Sequence, residues 1–248
     1  MPRRTGGVAC CSSEGLVTRG SGARARCCGM GSFTGFPPDA LEFFVELEAN
    51  NERSWWQANR ARFEASVRDP MRALLDELEA QRGSFRVFRM NRDTRFSHDK
   101  SPYKLAHAAM AEREGGATLY VQLGRDGLFV GGGIYHMARD QLASFRAAVD
   151  DEASGSALEA AVTTVHRAGV DVRSGEDALK TAPKGFSRDH PRIELLRWKG
   201  CIAAVELGAP SWLHTARARD EVDRVWQEAE PVLSWLDACV GPSQEPPR

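Results

Sequence analysis

Leu119-Tyr120-Val121-Gln122-Leu123 and Leu128-Phe129-Val130-Gly131-Gly132-Gly133-Ile134-Tyr135 flank the tetrapeptide Gly124-Arg125-Asp126-Gly127. Two β-branched and aromatic runs around a short Gly/Asp turn predict an antiparallel hairpin. Three glycines inside its second strand weaken that strand, and they imply a bulge or the close approach of another backbone or a ligand. Upstream, Phe85–Met90 alternates and predicts a further strand; downstream, Val170–Val172 and Cys201–Leu207 predict two short ones.

Helical periodicity occupies the flanks. Pro37-Pro38-Asp39 opens a helix with Leu41, Phe44, Val45 and Leu47 on its apolar face, and Asn50-Asn51 ends it. A second helix carries Trp55, Trp56, Asn59, Phe63 and Val67. Asp69-Pro70 reads as an N-cap and first helical residue opening a third, which Gly83 stops. Leu142, Phe145 and Val149, then Leu158, Val162 and Val165, mark two more. Asp189-His190-Pro191 reads as the capped start of a brief helix. A long C-terminal helix carries Val222, Val225, Trp226, Ala229, Leu233 and Leu236, with Pro231 expected to kink it. Helices at both ends with hairpin strands between them predict an α+β fold, a mainly antiparallel sheet covered by helices.

Residues 30–240 read as one such domain. Residues 1–29 are rich in Gly, Ser, Arg and Cys, and are expected to be a disordered tail, with Met30 as the true start. Residues 241–248 read as a disordered stub. No apolar run reaches the ~18–20 residues a membrane helix needs. Cys10-Cys11 and Cys27-Cys28 lack zinc-ligand spacing, while Cys201 and Cys239 stand singly among apolar residues. Reduced, inert thiols and a cytoplasmic location are expected.

The net charge of −1 hides a segregation. Residues 85–104 hold Arg86, Arg89, Arg92, Arg95, Lys100 and Lys104 against Asp93 and Asp99. Residues 180–199 hold Lys180, Lys184, Arg188, Arg192, Arg197 and Lys199 against Asp189 and Glu194. All five lysines of the chain fall in these two segments, Lys100 and Lys104 in one, Lys180, Lys184 and Lys199 in the other. A local positive site on an otherwise acidic body is expected, with both segments contributing.

The densest motif is Arg92-Asp93-Thr94-Arg95-Phe96-Ser97-His98-Asp99-Lys100-Ser101-Pro102-Tyr103-Lys104. With it stand Gly131-Gly132-Gly133, Pro183-Lys184-Gly185-Phe186 and Asp189-His190-Pro191. Together they resemble DUF2461, a family of conserved hypothetical proteins widespread in bacteria and fungi. Phe33-Thr34-Gly35-Phe36 and the Asn50-Asn51, Trp55-Trp56, Asn59-Arg60 helix look similar as well, so the likeness runs from about Phe33 to Leu236. His98 and Leu105 depart from the family pattern. The resemblance implies a fold and no activity.

The residues themselves supply the chemistry. Arg89, Arg92 and Arg95 offer fork donors to phosphate or carboxylate oxygens, unless Asp93 and Asp99 pair with them. Pro102 restricts Ser101 and would hold Lys100, Tyr103 and Lys104 in place. Tyr103 and His190 are candidate acids or bases. Lys184-Gly185 and the Asp189-His190-Pro191 helix start offer backbone N–H groups to an anion. His107, His136, His166 and His214 read as ordinary polar residues. No cofactor and no metal site is implied, although Asp93, Asp99 and Asp189 are conceivable metal ligands. The expected ligand is an anionic small molecule, bound by an enzyme or a binding protein. A nucleic-acid binder and a structural protein with an internal ion-pair network are the alternatives.

Overall fold

A computed structural model describes residues 32–93, 95 and 99–245. The expected tail and Met30 start, the four tail cysteines, and the motif residues Thr94, Phe96, Ser97 and His98 lie outside them. The chain is α+β: a six-stranded antiparallel sheet with helices and a long C-terminal helix. Helix α1 (Asp39–Ala49), α2 (Arg53–Phe63) and α3 (Asp69–Arg82) precede β1 (Phe85–Val87), β2 (Ala106–Glu112), β3 (Thr118–Gly124) and β4 (Gly127–Ile134). Helices α4 (Arg139–Asp150) and α5 (Glu152–Arg167), strand β5 (Asp171–Arg173), helix α6 (Ile193–Leu196), strand β6 (Cys201–Gly208) and helix α7 (Arg217–Cys239) complete it. The strand order is β1-β2-β3-β4-β6-β5.

The hairpin forms as its turn chemistry dictates. Gly124 pairs with Gly127 across the two-residue loop Arg125-Asp126, and Gly127, directly after the loop, takes φ +102°. Alternation then sorts the two faces. Leu119, Val121 and Leu123 of β3 and Leu128, Val130 and Ile134 of β4 are buried, as are Val222, Val225, Trp226, Leu233 and Leu236 of α7. Trp226 pins α7 to the sheet: its Nε1 donates to the Gly131 carbonyl at 2.9 Å, and its ring stacks on Phe85. Helix α7 continues through Pro231. The residues between, Met110, Tyr120, Phe129 and Ile202, are half-buried on the other face.

Two local expectations are corrected, and one strand had not been expected. Strand β1 stops at Val87 instead of reaching Met90, because the chain changes partner: Phe88 N–H still meets Ala108, but Lys104 N–H bonds to Met90 and Asn91 bridges Tyr103. Strand β2, Ala-His-Ala-Ala-Met-Ala-Glu, carries no strand signal in its composition; its place between β1 and β3 overrides propensity. Asp69 does not restart a helix. Residues Glu64–Arg68 form a π turn that joins α2 to α3, and Asp69 N–H bonds to the Glu64 carbonyl. A wider turn accommodates Pro70, which has no N–H and would crowd the carbonyl one α turn back.

Part of the C-terminal stub is placed: Ser243 Oγ and Gln244 N–H bond to the Asp140 carboxylate. Among the described residues no helix is long and apolar enough to cross a membrane.

Candidate functional site: an arginine cleft over a buried histidine

The motif after β1 folds back on itself. Arg92 N–H bonds to the Pro102 carbonyl and Asn51 clamps Tyr103, giving its amide to the Tyr103 carbonyl and accepting the Tyr103 N–H, both at 3.0 Å. Within this excursion the guanidinium forks are used internally. Arg92 pairs with Asp99, and Arg95 grips Asp93 with two bonds of 3.0 and 2.7 Å, which holds the Asp93 carboxyl below its usual range. Asp99 also accepts the Ser101 N–H. Lys100 is exposed, and the Lys104 ammonium lies 5.3 Å from the Phe88 ring centre. Tyr103, the expected acid or base, is buried and stacked on Trp56 at 4.3 Å, the position of a packing residue.

The second basic segment lies far from the first. Lys104 precedes Ala106, which pairs with Gly124 at the hairpin end of the sheet. Lys199 precedes Cys201, which pairs with Ile134 at the opposite end of β4. Strands β1 and β5 are also the two outer strands, five spacings or roughly 24 Å apart. The segments therefore occupy diagonally opposite corners, and the expectation of one shared site is corrected. Lys180, Lys184 and Asp189 are exposed there.

His190 is tied down: Nε2 meets Asp150 at 3.1 Å and Nδ1 accepts the Arg192 N–H at 3.0 Å. The expected helix start is corrected as well. Helix α6 begins at Ile193, and the N–H groups of Asp189, His190, Arg192 and Ile193 all have partners within the protein, leaving none for an anion. Arg192 is buried against Glu152, Ser156 and Glu159.

The triple glycine is explained by backbone packing. A Cβ on Gly131 would lie 2.7 Å from the Ala204 Cβ, and one on Gly132 would lie 2.8 Å from the Thr118 carbonyl. Gly133 has φ +134° and its Cβ would collide with the Cys201 carbonyl. The expected close approach is there; the irregularity in register falls instead at Leu128–Phe129. These glycines floor a cavity of about 460 Å³ on the uncovered sheet face, walled by Phe88, Tyr120 and Phe129.

A different cavity, of about 450 Å³, gathers the positive charge. It lies between the α2–α3 helix and the β1–β2 edge, and it is lined by Arg60, Arg68, Arg72 and Arg89 with one carboxylate, Glu64. Glu64 sits between Arg60 (3.1 Å) and Arg68 (2.8 Å). Arg72 and Arg89 have no ion pair among the described residues. Trp56, Phe63 and Phe88 supply apolar wall.

His107 lines the same cavity. It is 3% exposed, its ring stands edge-on to Phe63, and neither ring nitrogen has a hydrogen-bond partner among the described residues. Burial, then the charges of Arg68 and Lys104, push its pKa down to about 4. The imidazole is thus neutral at pH 7, with one nitrogen a donor and the other an acceptor. The other histidines contrast: His136 meets Glu176, His166 accepts the Val172 N–H, and His214 meets the Phe36 carbonyl. Of the residues that the sequence assigned to a site, only Arg89 lines this cleft. Its other arginines had a signal in the sequence: Arg60, Glu64, Arg68 and Arg72 recur every four residues, the spacing of one helix face.

Among the described residues no group of three His, Cys, Asp or Glu could hold a metal ion. The Cys201 thiol is buried and pushed up to about 12. The chain belongs to the conserved hypothetical protein family DUF2461, whose model matches residues 39–235 and so spans the whole cleft. No curated protein and no solved structure matches the chain.

Proposed function

We propose that the protein binds an anionic small molecule, bearing a phosphate or a carboxylate, in the arginine cleft. One observation carries this reading: four guanidiniums line a single cavity, and while Arg60 and Arg68 are held by Glu64 and Asp69, Arg72 and Arg89 have no ion pair among the described residues. Positive charge in excess of its counter-charges repels itself, and an incoming anion removes that cost. The volume suits a small ligand, and the aromatic walls give it an apolar surface to rest on. An internal ion-pair network accounts for Arg92 and Arg95, which are matched to Asp99 and Asp93. It does not account for Arg72 and Arg89. We place the protein in the cytoplasm, in keeping with the free thiols of Cys201 and Cys239.

A thermal-shift screen of the full chain tests the reading. The panel is phosphate esters, organic acids and short oligonucleotides, run beside an Arg72→Ala/Arg89→Ala variant. A ligand at about 100 times its dissociation constant adds about 2.7 kcal/mol of stability. Stabilisation by a small anion that the variant loses supports the reading. Stabilisation by oligonucleotides alone, falling steeply with salt, would favour a nucleic-acid binder. Shifts unchanged in the variant would refute the cleft.

A further inference from the structure

We propose that the cleft selects a phosphate monoester over a carboxylate, and that His107 hydrogen-bonds the bound phosphoryl group. This rests on the anion-binding reading above and narrows it.

The first argument is stoichiometric. A carboxylate has two oxygens and one charge, and a single guanidinium fork reaches both oxygens and balances the charge. Arg72 and Arg89, with no ion pair among the described residues, exceed that need even with Arg60 and Arg68 held by Glu64 and Asp69. A phosphoryl dianion presents three terminal oxygens and twice the charge, so several forks can engage it at once.

The second argument is His107. Buried polar side-chain atoms nearly always have partners, and each exception calls for a reason. Here both nitrogens of a 97%-enclosed ring lack one, and the ring lines the cavity the arginines line. A buried donor next to a gathered anion site has its natural partner in the anion. A phosphoryl group suits it better than a carboxylate, because its third terminal oxygen and second negative charge leave more acceptor capacity for the ring once the guanidiniums are engaged.

The charges around the ring set the pH behaviour. Arg60, Glu64 and Arg68 face the cavity from the α2 helix and its π turn, Arg72 from α3, Arg89 from beyond β1, and Lys104 approaches ahead of β2. These positive charges oppose protonation of the ring. A bound dianion offsets them, so the ring takes up a proton more readily in the complex, and its titration midpoint rises.

Phenyl phosphate and benzoate share a ring and differ in the head group, so the pair isolates the choice. With the full chain at pH 7.5, where phenyl phosphate is a dianion, the affinity for phenyl phosphate is expected to exceed that for benzoate by tenfold or more. His107→Gln is expected to weaken phenyl phosphate about tenfold, the loss of one hydrogen bond to a charged group, and to leave benzoate nearly unchanged. In wild type, which needs no variant to fold, the His107 ring proton resonances are expected to titrate about one pH unit or more higher with phenyl phosphate bound. Equal or tighter binding of benzoate, with both ligands lost in Arg72→Ala/Arg89→Ala, would overturn the phosphoryl inference and leave the anion cleft standing. An unmoved His107 midpoint would remove the histidine from the site. Failure of both ligands to bind would overturn both readings.

Discussion

His107 sits in a strand of small residues, edge-on to Phe63, with two ring nitrogens that lack a hydrogen-bond partner among the described residues. A side chain kept there for the fold would be served better by a hydrocarbon, since unsatisfied buried polar atoms cost about 1–3 kcal/mol. His107→Leu is therefore expected to raise the unfolding free energy by about 1–2 kcal/mol at pH 7, measured by urea titration, while binding in the cleft weakens. The acid limb gives a second prediction. The folded ring titrates near 4 and an unfolded one near 6.5. Below about pH 7 the unfolded chain takes up a proton that the folded chain refuses, so stability falls with pH and levels off below about pH 4. The fall attributable to this one ring is about 3 kcal/mol, and subtracting the His107→Leu curve isolates it. Asn51 makes the opposite case at the same scale. Its two bonds to the Tyr103 backbone hold the motif against α2, and Asn51→Ala should cost about 1–3 kcal/mol in a thermal melt. Nothing in the sequence separates His107 from the other histidines, because its burial comes from helices distant along the chain.

Elements were legible where local chemistry decides them. The Gly124–Gly127 turn, the stop at Gly83 and the apolar faces of α4, α5 and α7 follow from turn residues and periodicity, whereas the expected face of α1 is corrected: Val45 is exposed and Phe43 is buried in its place. Strand β2 was not legible, since its alanines favour helix and only pairing on both sides makes it a strand. Nor was the π turn, which merges two segments that Asp69-Pro70 divides on paper. The glycines of β4 were legible as a constraint but not as to its source. Gly133 answers to the Cys201 carbonyl and a positive φ, so Gly133→Ala should destabilise by about 2–3 kcal/mol in denaturant titration. A cost below about 0.5 kcal/mol would contradict the packing account.

For the whole molecule, the α+β class and the family kinship were within reach of sequence, and the candidate cleft was not. Charge counting found two basic segments, but the strand order sends them to opposite corners of the sheet. The cleft is assembled instead from helix-face arginines and Arg89, which meet only through the packing of α2–α3 on the sheet edge. Lys184→Ala should therefore leave anion affinity unchanged within twofold, as read by calorimetry, whereas Arg89→Ala should weaken it tenfold or more, the scale of a charge-assisted bond.

The most direct test is to see where a tetrahedral dianion goes. Tungstate has the shape and charge of a phosphoryl group and scatters anomalously. In crystals of the full chain soaked with it, the account predicts an anomalous peak among Arg68, Arg72 and Arg89, above the His107 ring. A peak only at the Lys180–Lys199 corner, or none in the arginine cleft, would contradict it.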